Sequence, residues 1–103
     1  MDYKVQFIPE ALQEYNKLDG SIKKDVNRKI DELGSNPFLG HKLGNKCNID
    51  LTGFYKLYVH SRKYRIVYRF IDKKNIEIIE IWGIRKSEKE EIYRIIGKRL
   101  LKK

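Results

Sequence analysis

Tyr3-Lys4-Val5-Gln6-Phe7 alternates apolar and polar side chains, which predicts a half-buried strand. Pro9 follows where a helix tolerates it, because the first helical turn has no use for the missing N–H. Ala11, Leu12, Tyr15 and Leu18 then recur at helical spacing until Asp19-Gly20 breaks the pattern. Ser21 suits the cap of a second helix, with Ile22, Val26, Ile30 and Leu33 along one stripe and Gly34 and Asn36-Pro37 at its end. Residues 38–50 hold no sustained period, and a connecting loop with a short strand at its end is expected there.

Alternation returns at Phe54. Tyr55, Leu57 and Val59 interleave with Lys56, Tyr58 and His60, and Tyr64, Ile66, Tyr68 and Phe70 with Arg65, Val67 and Arg69. If the first set faces the helices, Lys56, Tyr58 and His60 face away from them. Arg65 and Arg69 join that outer face only if the turn is a two-residue one at Arg62-Lys63. A three-residue turn would bury Arg65, and an unpaired buried Arg is costly, so the two-residue turn is expected. Asp72-Lys73-Lys74-Asn75 reads as a polar turn and Ile76 to Trp82 as a third strand, with Gly83 marking a candidate bulge and Arg85 beyond the strand's end. Ser87 with Glu90 fits a capping box, and Ile92, Ile95, Ile96 and Leu100 form the stripe of a terminal helix. The order β-α-α-β-β-β-α describes an α+β fold, one domain over residues 1–103. An N-terminal strand and helical hairpin pack on a mostly antiparallel sheet, and the helices, the C-terminal one included, are expected on one sheet face.

Charge sharpens this picture. The 103 residues carry a formal charge of +9, and its distribution is uneven. Residues 1–51 hold eight basic and eight acidic side chains, whereas residues 52–103 hold fifteen and six, so the second half carries the whole excess. A local excess points to a polyanionic partner for the meander. The longest apolar runs are a few residues, far short of a membrane span, and Met1-Asp2-Tyr3 lacks signal-peptide features. Cys47 is the sole cysteine, which excludes an intrachain disulfide and a Cys-based zinc site. A small, soluble, basic, intracellular domain is expected.

A face of cations with interleaved tyrosines suits a flexible nucleic-acid strand, Lys and Arg neutralising phosphates and rings stacking on splayed bases. The same face could be plain solvated surface that keeps a sheet soluble; the confinement of charge to one half favours binding. By alternation Tyr64 and Tyr68 belong to the core, Trp82 to packing, and Lys102-Lys103 to a solvated end. His60 titrates near neutrality, which suits catalysis, although an exposed strand histidine is more often surface.

Taken together, Tyr55-Lys56-Leu57, Tyr64-Arg65-Ile66-Val67-Tyr68, Gly83-Ile84-Arg85 and Tyr93 resemble the RelE/ParE toxin superfamily. Tyr3, Val5, Phe7, Ala11-Leu12, Leu18, and Asn36-Pro37 ahead of Lys42-Leu43 extend the resemblance over nearly the whole chain, nearest the RelE branch. That resemblance implies a cytoplasmic toxin of a type II toxin–antitoxin system: a metal-free, cofactor-free, ribosome-dependent endoribonuclease that cuts mRNA and arrests translation. It implies a cognate antitoxin, expected to be short, acidic and amphipathic. In the implied reaction the RNA 2′-hydroxyl attacks the adjacent phosphate. Lys56 matches a lysine linked to proton abstraction, Arg65 and Arg85 match arginines that hold the phosphate, and Tyr93 matches a tyrosine that positions substrate. The base remains open between Lys56 and His60, with Lys56 preferred. Tyr58, Arg62, Lys63, Arg69 and Lys86 are the expected RNA-contacting residues. The chain departs from the branch at Tyr58, where a second basic residue is common, and in the separation of eight positions from Arg85 to Tyr93. A ParE-like gyrase poison shares the fold, and an inactive RNA- or protein-binding domain is a third reading. Lys56, Arg65 and Arg85 favour the nuclease.

Overall fold

The computed structural model describes residues 3–74, 76–88 and 90–102. Met1, Asp2, Lys89, Lys103 and Asn75, the last residue of the expected polar turn, lie outside the described residues. Strand β1 (Lys4–Phe7) leads into α1 (Pro9–Asn16) and α2 (Gly20–Ser35). Three two-residue strands follow, β2 (His41–Lys42), β3 (Asn45–Lys46) and β4 (Ile49–Asp50). The meander is β5 (Phe54–Val59), β6 (Tyr64–Lys73) and β7 (Ile76–Lys86), and α3 (Glu91–Lys102) closes the chain. The main sheet runs β1-β7-β6-β5-β2, with β1 parallel to β7 and every other pair antiparallel. Among the described residues no helix is long and apolar enough to cross a membrane.

The helices begin and end close to where the sequence predicts, with instructive differences. Pro9 opens α1, as expected. In α2, Asp19 rather than Ser21 is the N-cap, and it makes no side-chain cap bond. Gly34 lies inside that helix, which stops only when Asn36 turns away at φ −141°. The residue before a proline is disfavoured in helical geometry, so Pro37 sets the boundary and Gly34 does not. Ser87 does not cap α3. Its N–H is still engaged across the sheet with the Lys63 carbonyl at 2.7 Å, and the helix starts at Glu91. The segment read as a loop contains the β3–β4 hairpin, whose two-residue turn Cys47-Asn48 has both residues left-handed. That geometry suits a tight hairpin.

Two local features decide which side chains meet. Between β5 and β6 the connection is four residues, His60 to Lys63, not two: Val59 pairs with Tyr64, and His60, Ser61 and Arg62 all have φ between 54° and 65°. An even count keeps Arg65 on the outer face, as expected. The register, however, moves by two, so Arg65 lies opposite Tyr58 instead of His60. In β7 the pairing slips between Val67 and Tyr68, leaving Trp82 as an extra residue. Strict alternation from Glu80 would send Arg85 to the helix-hairpin face; the bulge returns it to the face of Arg65, its cross-strand partner. Strand β7 therefore extends well past Trp82 and includes Arg85.

The helices are divided between the two faces, contrary to the expectation of one covered face. Leu57, Ile66 and Ile84 share a buried row on one side, and the hairpin helix α2 supplies buried Ile22, Val26 and Leu33. On the other side α3 sits against Gly83, where an added Cβ would stand 2.9 Å from Ile96 Cδ1. Only a glycine lets α3 approach this closely. The β3–β4 hairpin braces α3 from outside through Ile49 against Gly97. Tyr68, fully buried, donates its hydroxyl to the Pro37 carbonyl (3.1 Å) and accepts the Gly40 N–H (2.9 Å). Burial pushes that phenol up to about 12, so it stays a neutral hydrogen-bonding pin.

Candidate active site

Across the three meander strands, Tyr58, Arg65 and Arg85 occupy one row: Tyr58 pairs with Arg65 and Arg65 with Arg85. Lys56 stands one step along β5 on the same face, since side chains two apart share a face. Tyr93 comes from α3. These positions follow from the four-residue turn and the Trp82 bulge, without which the row would not assemble.

Tyr58, at the β5 end of the row, gathers cations around its ring. Lys56 Nζ donates to its hydroxyl at 3.4 Å and lies 5.2 Å from the ring centroid. The Arg62 guanidinium stacks over the ring at 4.2 Å, and that of Arg65 lies 5.5 Å away. On its other side Arg65 is 5.4 Å from the Tyr93 ring. Such cation–ring contacts fix the guanidinium plane. Burial alone would raise the Tyr58 hydroxyl, but the Lys56 hydrogen bond and the Arg65 charge outweigh it, and the group lies below its ordinary value. Tyr93 is 2% exposed, so what it offers the site is the ring face that supports Arg65.

Arg85 is tied to acid groups. Glu14 accepts from Arg85 Nη1 at 2.9 Å, and Glu91 lies 3.7 Å from Arg85 Nη2. Glu14 also accepts two bonds from Arg99, at 3.0 and 2.8 Å, and one from the Ile84 N–H at 3.1 Å. Burial opposes the Glu14 charge, yet the Arg99, Arg85 and Ile84 hydrogen bonds prevail and hold its carboxyl below the usual range. Glu14 and Arg99 were not singled out by the sequence reading. A signal existed: Arg99 falls on the Ile92–Ile96 stripe and Glu14 on the Ala11 face of α1, each a charge where an apolar residue is due. Leu12, placed on that stripe from the sequence, is 44% exposed.

The remaining expected residues are distributed around this row. Arg62, Lys63 and Lys86 line a cleft of about 520 Å³ with Tyr64 and Ser87. A second cleft of about 340 Å³ is lined by Glu14, Lys17, Arg85 and Lys86, so Lys86 borders both. His60 lines the larger cleft, but its Nδ1 is 2.7 Å from Asp25 of α2. The His60 bond is the main reason the Asp25 carboxyl is lowered. Arg69 lies beyond the row, paired with Glu80 at 2.9 Å and stacked 4.7 Å over Trp82. Cys47 donates its thiol to Glu90 at 2.8 Å. Among the described residues no three His, Cys, Asp or Glu side chains gather as a metal-binding group.

Comparison with known proteins gives this arrangement its context. Residues 5–97 match the family of the ParE toxin of the type II toxin–antitoxin system parDE. The mRNA interferase toxin RelE of Escherichia coli strain K12 is 30% identical over 101 residues, 98% of this chain and all of the relative. A mutant of E. coli toxin RelE in the free state superposes with a TM-score of 0.74 at 28% identity, covering 96% of this chain and 98% of the other. The toxin from the intact E. coli RelBE toxin–antitoxin complex does so with a TM-score of 0.68 at 27% identity, covering 84% and 99%. A family match across most of the chain, and a fold shared nearly end to end with RelE toxins, lead to one conclusion: the chain belongs to the RelE/ParE toxin superfamily of type II toxin–antitoxin systems.

Proposed function

We propose that residues 1–103 act as a single toxin domain that cleaves mRNA at the ribosome by intramolecular attack of the 2′-hydroxyl. The observation that carries this reading is the alignment of Tyr58, Arg65 and Arg85 across three strands with Lys56 beside them. A phosphate laid along that row meets two guanidiniums, whose paired N–H donors fit the geometry of phosphate oxygens. As the 2′-oxygen adds, charge grows on those oxygens, and fixed cations stabilise it more than they stabilise the ground state. Arg85 shares its charge with Glu14 and Glu91, so it is already oriented before substrate arrives. Lys56 and its hydrogen-bonded partner Tyr58 supply the proton-exchanging groups beside the row. Arg62, Lys63 and Lys86, which line the neighbouring cleft, add to the positive field that attracts the RNA.

Inhibition belongs to the same reading. The E. coli toxin RelE is known bound to its antitoxin in the RelBE complex. For this chain the partner is a short, acidic, amphipathic antitoxin, complementary to a second half that carries the entire +9. Acting on ribosome-bound mRNA places the protein in the cytoplasm.

A reconstituted translation system tests the proposal. Wild type is expected to cut ribosome-bound mRNA, and Arg65→Ala and Arg85→Ala each to lose about 100-fold or more, the usual loss when a transition-state donor is removed. Equal cleavage by all three would sink the assignment of the row. A gyrase poison would instead inhibit supercoiling by purified gyrase and leave the mRNA intact.

A further inference from the structure

We propose that Tyr58 is the general base of this site, its phenol oxygen taking the proton of the RNA 2′-hydroxyl while Lys56 supplies a proton to the departing 5′-oxygen. The assignment rests on the ribonuclease reading and deepens it, giving the base role, which the sequence leaves between Lys56 and His60, to Tyr58 instead.

The surroundings of the phenol oxygen carry the inference. From its own strand, Lys56 donates to it at 3.4 Å; from the turn, Arg62 covers the ring at 4.2 Å; from β6, Arg65 lies 5.5 Å from the ring. From β7, Arg85 stands behind Arg65 in the same row, and from α3 Tyr93 supports Arg65. Burial works against a negative oxygen here, but Lys56 and Arg65 outweigh it, and the hydroxyl is shifted below its ordinary value. The other candidate base is engaged elsewhere: His60 is bonded to Asp25 of α2 at 2.7 Å. Tyr58 also lies directly across from Arg65, so the phenol stands next to the group that would hold the phosphate.

The step balances within these groups. The O2′–H bond breaks as Tyr58 takes the proton, and the O2′–P bond forms. The P–O5′ bond breaks, and Lys56 gives a proton to O5′. The products are a 2′,3′-cyclic phosphate and a 5′-hydroxyl end. Afterwards the proton on Tyr58 returns to Lys56 along their hydrogen bond, which restores both groups without an outside reagent.

The test is single-turnover cleavage of ribosome-bound mRNA as a function of pH, comparing wild type, Tyr58→Phe and protein carrying a fluorinated tyrosine at position 58. Tyr58→Phe keeps the ring on which Arg62 and Arg65 stack and removes only the oxygen. A loss of about 100-fold or more is expected, the range for a positioned proton-transfer group, together with loss of the rising limb of the pH–rate profile. The fluorinated phenol is more acidic, so its midpoint should move to lower pH. Ultraviolet difference titration of wild type against Tyr58→Phe should show a phenol ionising below the ordinary tyrosine range. Wild-type cleavage matched by Tyr58→Phe with an unchanged profile overturns this assignment alone, as does a midpoint that fluorination leaves in place. A wild type that cuts no mRNA overturns the ribonuclease reading and this inference with it.

Discussion

Replacing Glu14 with Gln should destabilise the protein more than any other single charge removal at this site. The carboxylate is 13% exposed and accepts four bonds, from the Ile84 N–H, Arg85 and twice from Arg99, which is itself 11% exposed. Removing one partner of such a pair leaves a buried guanidinium without its counter-charge, at a cost of about 3–5 kcal/mol. Gln retains one acceptor oxygen, and Arg85, at 40% exposure, is partly served by water. The lower end, about 3 kcal/mol, is therefore the expectation. At about 4–8 °C per kcal/mol for a domain of this size, thermal unfolding should fall by roughly 12–24 °C. Glu91→Gln is the control: Glu91 is 57% exposed and 3.7 Å from Arg85, and should cost less than about 1 kcal/mol. Calorimetry on both variants decides the matter. A Glu14→Gln protein melting within about 2 °C of wild type would refute the reasoning that this carboxylate ties α1, α3 and Arg85 together.

Other consequences can be measured in the same way. Tyr68→Phe strands the Gly40 N–H and the Pro37 carbonyl, and urea titration should show a loss of about 1–3 kcal/mol. Gly40→Ala should cost more, because its Cβ would stand 2.6 Å from both the Lys56 carbonyl oxygen and the Tyr68 hydroxyl; an unchanged urea midpoint would contradict that packing. Glu14 and Asp25 both have carboxyls held below their ordinary values in the folded state. Their contribution is thus complete at neutral pH and is lost as pH falls through the carboxylate range, so urea midpoints should decline between about pH 6 and 3. Midpoints flat across that interval would contradict the sign.

Periodicity located every long element because each has one buried face, and that is the feature periodicity reports. Ala11, Val26 and Ile96 are all fully buried at positions the helical spacing selects. What escaped were features set by single residues against distant neighbours. The Cys47-Asn48 hairpin has no alternation to show over two-residue strands, and its worth lies in Ile49 meeting Gly97. The site was half legible. The cations could be named from the strands, but their meeting depends on a four-residue turn with three left-handed residues and on one extra residue at Trp82. Neither leaves a strong local mark apart from Gly83. The Glu14–Arg99 pair was missed because a charge on an apolar stripe looks like noise until its partner, 85 positions away, is seen on the other helix.

In the proposed reaction the row acts on RNA through the 2′-hydroxyl. The most direct measurement is cleavage of ribosome-bound mRNA carrying a single 2′-deoxy nucleotide on the 5′ side of the scissile phosphate. The substituted message should stay intact at that position while the all-ribose message is cut to a 2′,3′-cyclic phosphate. Cleavage of the deoxy-substituted bond at the all-ribose rate would contradict it.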